Sequence, residues 1–168
     1  MQSRRLLLLR HAQAAHGPAD VDRPLTERGT RQATAAGAWL ERGGLVPDRV
    51  VVSPAVRAAR TWELVGAPLR PRPTVVVDLR VYDATLEKLL AVVQETPEGV
   101  RTLAVVGHNP SIGSLAGILN DGASRSAARR DVERGFPAGG VAVFLIDAPF
   151  AAIAPGTATL GDFRAPRD

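Results

Sequence analysis

The sequence predicts an α/β fold with helices layered on a mainly parallel central sheet. Three observations carry that reading. Short apolar runs alternate with longer amphipathic ones along the chain, as in strand–helix–strand units. The first apolar run, Arg5 to Arg10, has the length and context of a buried strand, and Arg49 to Ser53 is β-branched. Turn residues separate the runs, with Gly43-Gly44 after one and the proline-rich stretch from Gly66 to Pro73 after another.

Taken in order, Arg5-Leu6-Leu7-Leu8-Leu9-Arg10 is the first strand. Its leucines suit a helix equally, but its length and context favour a strand. Pro24 to Arg42 reads as a helix: Thr26 with Glu27 fits its start, Ala33, Ala36, Ala38, Trp39 and Leu40 supply an apolar side, and Gly43-Gly44 ends it. Arg49 to Ser53 is a β-branched strand, and Pro54 opens a helix towards Val65. After a proline-rich connection from Gly66 to Pro73 come a third strand, Thr74 to Asp78, and a third helix, Thr85 to Glu95, with Leu86, Leu89, Leu90 and Val93 on one face. Thr102 to Gly107 is the fourth strand and Pro110 to Leu119 the fourth helix. Asn120 to Gly140, rich in Gly, Ala, Ser and Arg, reads as a long loop. Val141 to Ile146 is the fifth strand and Thr157 to Phe163 a last one.

Composition narrows the function classes. The 168 residues and 17.7 kDa suit one domain, residues 1–168, with 45% hydrophobic and 23% charged residues and a mean hydropathy of +0.01. The chain has no cysteine, which excludes disulfides, thiolate chemistry and Cys-type zinc sites. No apolar run approaches the ~20 residues of a membrane helix. Leu6 to Leu9 is too short for a secretory signal, whose apolar segment runs to about 7–15 residues, so the sequence predicts a soluble, cytoplasmic protein with no membrane partner. The net charge is +4, and Lys88 is the only lysine. The arginines are interleaved with acids and aromatics are few, so a solvated basic surface is the reading, not a nucleic-acid interface. The positive balance would still attract anionic substrates. Arg125, Arg129, Arg130 and Arg134 could meet an acidic partner, but Asp131 and Glu133 among them favour a solvated loop.

Open α/β sheets bind ligands beyond the carboxyl ends of their strands. Arg10-His11 follows the first strand there, and Ser53 to Arg57 the second. Asp78, Arg80, Tyr82 and Asp83 follow the third, and Gly107-His108-Asn109-Pro110 the fourth. Two of the three histidines, His11 and His108, thus fall with Arg10 and Arg57 on one predicted edge. Arginine presents a planar fork matched to phosphate oxygens. A neutral imidazole can attack phosphorus and hold a phosphoryl group covalently. Arginines and a second, protonated histidine would stabilise the equatorial oxygens. Together these parts suffice for metal-free phosphoryl transfer to a histidine, with no cofactor. A zinc site from His11, His16 and an Asp lacks ligand spacing on a shared helix or hairpin. His16 reads as a loop residue.

Four segments in this order resemble the histidine phosphatase superfamily, also called phosphoglycerate mutase-like: Leu9-Arg10-His11-Ala12, Arg23-Pro24-Leu25-Thr26-Glu27-Arg28-Gly29, Ser53-Pro54-Ala55-Val56-Arg57-Ala58-Ala59-Arg60-Thr61 and Gly107-His108-Asn109-Pro110. The short chain is most similar to the small SixA-type phosphohistidine phosphatases. The resemblance implies a three-layer sandwich of phosphoglycerate mutase-like type without a large helical insertion. It implies that His11 is the nucleophile, that Arg10 and Arg57 clamp the phosphoryl group, and that His108 donates to its oxygens. Thr61 would brace Arg57. Asn109 and Gln13 are further substrate-side candidates, Gln13 at a place that touches substrate or nothing.

Family members often place an acid after the third strand to protonate an alcohol leaving group. Asp83 and Asp78 are the candidates, and Asp83 lies further past the strand end; Asp83 is equally suited to cap the third helix. A phosphoramidate leaving group needs such an acid less than an alkoxide, for which it is worth ~10²–10⁴-fold. The expected activity is therefore a metal-independent phosphatase acting on phosphohistidine, with a phosphohistidine-bearing protein as partner. The alternatives are a phosphatase of small phosphoesters or sugar phosphates, and a phosphate-binding module without turnover.

Overall fold

The computed structural model describes residues 3–123 and 126–167. Its elements in chain order are β1 (Arg4–Arg10), α1 (Glu27–Arg42), β2 (Arg49–Val52), α2 (Val56–Gly66), β3 (Thr74–Val77), α3 (Leu86–Gln94), β4 (Thr102–Gly107), α4 (Ser111–Leu119), α5 (Ser126–Glu133), β5 (Val141–Ile146) and β6 (Thr159–Arg164). Single 3-10 turns cover Asp20–Asp22, Leu79–Val81 and Phe150–Ala152.

The strands form one six-stranded sheet in the order β3-β2-β4-β1-β5-β6. The first four run parallel. β5 and β6 extend the sheet antiparallel, with an irregular register between Val143 and Phe144. The β1 leucines show why an unbroken apolar run makes a strand here. Leu6 and Leu8 enter the core under α3, α4 and α5, while Leu7 and Leu9 enter the core under α1 and α2. All four are essentially buried, each worth roughly 1.5–3 kcal/mol of transfer free energy. Sheet and helices thus make three layers.

Helix starts follow local chemistry. Thr26 caps α1 by accepting from the Gly29 amide at 3.0 Å, and Pro24 lies outside the helix. Thr85, rather than Asp83, caps α3 by accepting from the Lys88 amide at 3.2 Å. Helix α2 begins at Val56, after Pro54. α1 and α2 approach closely because residue 37 is glycine: a β-carbon there would lie 2.5 Å from the Val65 carbonyl oxygen.

One expectation is corrected. The segment from 120 to 140 is not all loop, since it contains α5. Ala128 packs into the core, and Arg129 pairs with Glu133 at 3.0 Å one turn on. Arg134 lies 3.7 Å from Asp131. The arginines of this segment therefore sit among their own counter-charges, while Arg125 lies outside the described residues. Among the described residues, no helix is long and apolar enough to cross a membrane.

Candidate active site

The parallel register brings three strand ends together. Arg10 on β1 stands opposite Gly107 on β4, and Val52 on β2 opposite Val106. The ladder runs one step further, with the His11 amide donating to the Gly107 carbonyl at 3.0 Å and the Ser53 amide to the Val106 carbonyl at 3.1 Å. His11, His108 and Ser53 are therefore neighbours by sheet geometry.

The two imidazoles lie with ring centroids 5.1 Å apart. Both are largely buried. His11 Nδ1 donates to the Ala12 carbonyl at 2.8 Å, which fixes the proton there and leaves Nε2 with its lone pair. Burial, reinforced by the guanidiniums of Arg57, Arg10 and Arg23, pushes His11 down to about 4, against the Ala12 hydrogen bond. Burial, then His11 and Arg57, pushes His108 down to about 4 as well. At neutral pH His108 is neutral, where the sequence reading expects a protonated ring. His108 Nε2 lies 2.8 Å from Ser53 Oγ, which also accepts from the Ala55 amide at 3.2 Å.

Arg57, on the first turn of α2, is buried. Its Nη1 donates to the Asp20 carbonyl at 2.6 Å and its Nη2 to Asp20 Oδ2 at 3.0 Å. Arg10 Nη1 donates to the Phe136 carbonyl at 3.0 Å. Three nitrogens of this group, Arg10 Nε, Arg57 Nε and His108 Nδ1, are buried with no hydrogen-bond partner among the described residues. Buried polar nitrogens without partners are rare, and three in one cleft suit an anion.

Thr61 braces this side of the cleft. Its hydroxyl donates to the Arg57 carbonyl at 2.7 Å and accepts from the Ala12 amide at 2.9 Å. It thus holds the backbone of the arginine and of the residue after His11, rather than the Arg57 side chain.

The remaining candidates are placed as follows. Asp83 is exposed and takes a left-handed backbone conformation with φ 54°. It follows Tyr82, whose ring meets His108 edge-on at 5.6 Å. Asp78 is turned to Arg80, accepting from its amide and its Nη2 at 2.9 Å each. Gln13 accepts through Oε1 from the Thr26 hydroxyl at 2.8 Å, so its side chain ties the loop after β1 to the start of α1. Asn109 donates to the Phe136 carbonyl at 2.9 Å and accepts from the Gly113 amide at 3.1 Å, bracing α4 against the segment before β5. His16 is an exposed loop residue. Among the described residues no three His, Asp or Glu side chains gather with metal-holding geometry.

Sequence reasoning missed Asp20. It lies in the 3-10 turn of the loop between β1 and α1. Its carboxylate accepts from Arg57, from Arg23 Nη1 at 3.3 Å and from the Tyr82 hydroxyl at 2.6 Å. These hydrogen bonds hold the Asp20 carboxyl well below the usual carboxylate range. The signal was the acidic run Asp20-Val21-Asp22 directly ahead of the Arg23-Pro24-Leu25-Thr26 motif.

Comparisons with known proteins place the chain in a family. The family model of the histidine phosphatase superfamily (branch 1) matches residues 6–85. An uncharacterized protein of Mycobacterium tuberculosis is 37% identical over 165 residues, covering 95% of this chain and 100% of its own length. The phosphohistidine phosphatase SixA of Escherichia coli is 33% identical over 126 residues, covering 70% of this chain and 74% of its own. Among solved structures, SixA from Nakamurella multipartitia superposes with a TM-score of 0.86 at 35% identity, over 99% of this chain and 98% of that one. The chain belongs to the histidine phosphatase superfamily and is a phosphatase. Within that superfamily its likeness is to the SixA-type branch.

Proposed function

We propose that this chain is a cytoplasmic, metal-independent phosphatase that hydrolyses phosphohistidine on a protein through a covalent intermediate on His11. One observation carries the reading: an imidazole with Nδ1 tied to a carbonyl and a free Nε2 lone pair sits beside three buried nitrogens that lack partners among the described residues. Nε2 attacks phosphorus, and the bond from phosphorus to the substrate nitrogen breaks. The leaving imidazole departs with its proton, and the phosphoryl group rests on His11. Arg10 and Arg57 stabilise the equatorial oxygens as charge develops, the task that a metal ion performs in other phosphoryl-transfer sites. His108 donates a further hydrogen bond. Water then attacks phosphorus, releases inorganic phosphate and restores Nε2. Asp83 serves as proton donor when the leaving group is an alkoxide. The name of the Escherichia coli relative, phosphohistidine phosphatase, supports the substrate class.

The test is a phosphohistidine-bearing protein with labelled phosphate, quenched during turnover. The expected result is an acid-labile, base-stable label on this chain that is lost in His11→Ala, with turnover unchanged by EDTA. Activity abolished by the chelator and restored by a divalent metal overturns the metal-independent mechanism. Phosphate binding without label transfer from any phosphodonor makes the chain a binding module.

A further inference from the structure

A cavity adjoins the segment whose Phe136 carbonyl holds Arg10. Its volume is about 1010 Å³, and its lining includes Trp39, Arg42, Phe163, Arg164 and Arg167. It shares Phe136 and Asn109 with the wall of the cleft, since Arg10 and Asn109 both donate to the Phe136 carbonyl. Four arginines line one hollow: Arg134, which lies beside Asp131, and Arg42, Arg164 and Arg167, from the last turn of α1, the end of β6 and the tail beyond it. None of the last three forms an ion pair among the described residues. Arg164 Nη1 is buried with no hydrogen-bond partner there. Burial, with Arg42 and Arg167 nearby, lowers the Arg164 pKa from its ordinary value. Two acids also line the cavity: Asp131 lies 3.7 Å from Arg134, and Asp162 accepts from the Phe163 amide at 2.8 Å.

Like charges held together around a buried, unpaired donor are unfavourable unless an anion joins them. Guanidinium forks match phosphate oxygens in pairs. The lining also holds three of the chain's seven aromatic residues, with Phe136 and Phe163 in an edge-to-face pair at 5.2 Å and Trp39 half-buried. Small-molecule pockets typically run to roughly 300–1,000 Å³, so a mononucleotide fits a hollow of this size whereas a lone phosphate underfills it. We propose that this cavity is a binding site for a flat-ringed polyanion of the nucleoside diphosphate class. The phosphates lie on Arg42, Arg164 and Arg167, and the ring lies on Trp39. The site is separate from His11, and its occupancy does not depend on the reaction proposed above.

The test is calorimetric titration of the full chain carrying His11→Asn, which removes turnover, with ADP, pyrophosphate and inorganic phosphate as probes. ADP is expected to bind about tenfold more tightly than pyrophosphate and to change tryptophan fluorescence. Adding Arg42→Gln with Arg167→Gln, both exposed positions, is expected to weaken ADP about tenfold or more. The same pair in the otherwise unaltered chain should leave inhibition by inorganic phosphate unchanged. Arg164→Gln, checked for folding by circular dichroism, should weaken ADP similarly. The proposal is overturned by ADP affinity indifferent to the paired substitution, by pyrophosphate binding as tightly as ADP, by no binding at millimolar ADP, or by an acidic peptide that binds where ADP does not.

Discussion

Asp20 holds Arg57 with two of its atoms. The backbone carbonyl takes Nη1 at 2.6 Å, and the carboxylate takes Nη2 at 3.0 Å. The arginine proposed to clamp the phosphoryl oxygens therefore already carries a carboxylate, and the Tyr82 hydroxyl fastens that carboxylate from the His108 side at 2.6 Å. An incoming phosphate meets a fixed negative charge as well as the positive one.

Asp20→Asn removes that charge and keeps an amide that can still accept from Tyr82. Inorganic phosphate should then inhibit more strongly, with its inhibition constant falling on the order of fivefold, as expected for one screened charge a few ångströms away. An inhibition constant that rises instead would show that the carboxylate helps to hold the anion.

The histidines set the pH profile. The His11 nucleophile must be neutral, and its pKa lies near 4 instead of the usual 6.5. kcat/KM should hold from neutrality down to about pH 5 and fall through about 4. Stability follows the same sign. Unfolded imidazoles take up protons near 6.5, whereas the buried pair waits until about 4. Between those values the unfolded chain binds more protons, so the stabilisation is complete above 6.5 and is lost as the pH falls towards 4. Tm measured against pH should decline across that window, and an acid limb of kcat/KM at 6.5 would contradict the assignment.

Asp83→Asn separates substrate classes. The residue is exposed at φ 54°, a conformation asparagine adopts readily, so folding should be unaffected. If Asp83 delivers the proton, hydrolysis of an alkyl phosphate should fall by ~10²-fold or more and that of phosphohistidine much less. Equal losses, or none, in a substrate panel would remove Asp83 from the mechanism.

Thr61→Val tests the brace. It leaves the Ala12 amide buried without its acceptor, at a cost of about 1–3 kcal/mol. At this chain length that corresponds to a fall in Tm of several degrees. Turnover should drop further than Thr61→Ser allows, because serine restores the hydroxyl. Valine and serine variants with the same Tm and rate would show that the hydroxyl is idle.

The residues that the sequence made legible are those whose position follows from strand ends. Arg10-His11 and Gly107-His108 meet because β1 and β4 are parallel neighbours in register, which short apolar runs and family motifs together could anticipate. Arg57 follows from its place on the first turn of α2. Beyond the acids directly ahead of the Arg23 motif nothing singles out Asp20, because its partners Arg57 and Tyr82 are 37 and 62 residues away and no periodicity marks a loop carboxylate. α5 was hidden for a compositional reason. Serine, glycine and arginine around it suggest a loop, yet Ser126–Glu133 is mostly good helix formers with one buried alanine, Ala128. The protonated second histidine that the sequence suggests is overturned at His108 by burial, which no local motif reports.

The Phe136 carbonyl, taken at once by Arg10 and Asn109, divides its segment into two parts with different freedom. Upstream, α5 and the turns around it make no hydrogen bond to Arg10, His11 or His108 among the described residues, and α5 is held to the body by Ala128 in the core. Downstream, the Gly139 amide is committed to the carbonyls of both Arg10 and His11, at 3.1 and 2.9 Å. One peptide group thus separates backbone tied directly to the two residues at the end of β1 from backbone that is not.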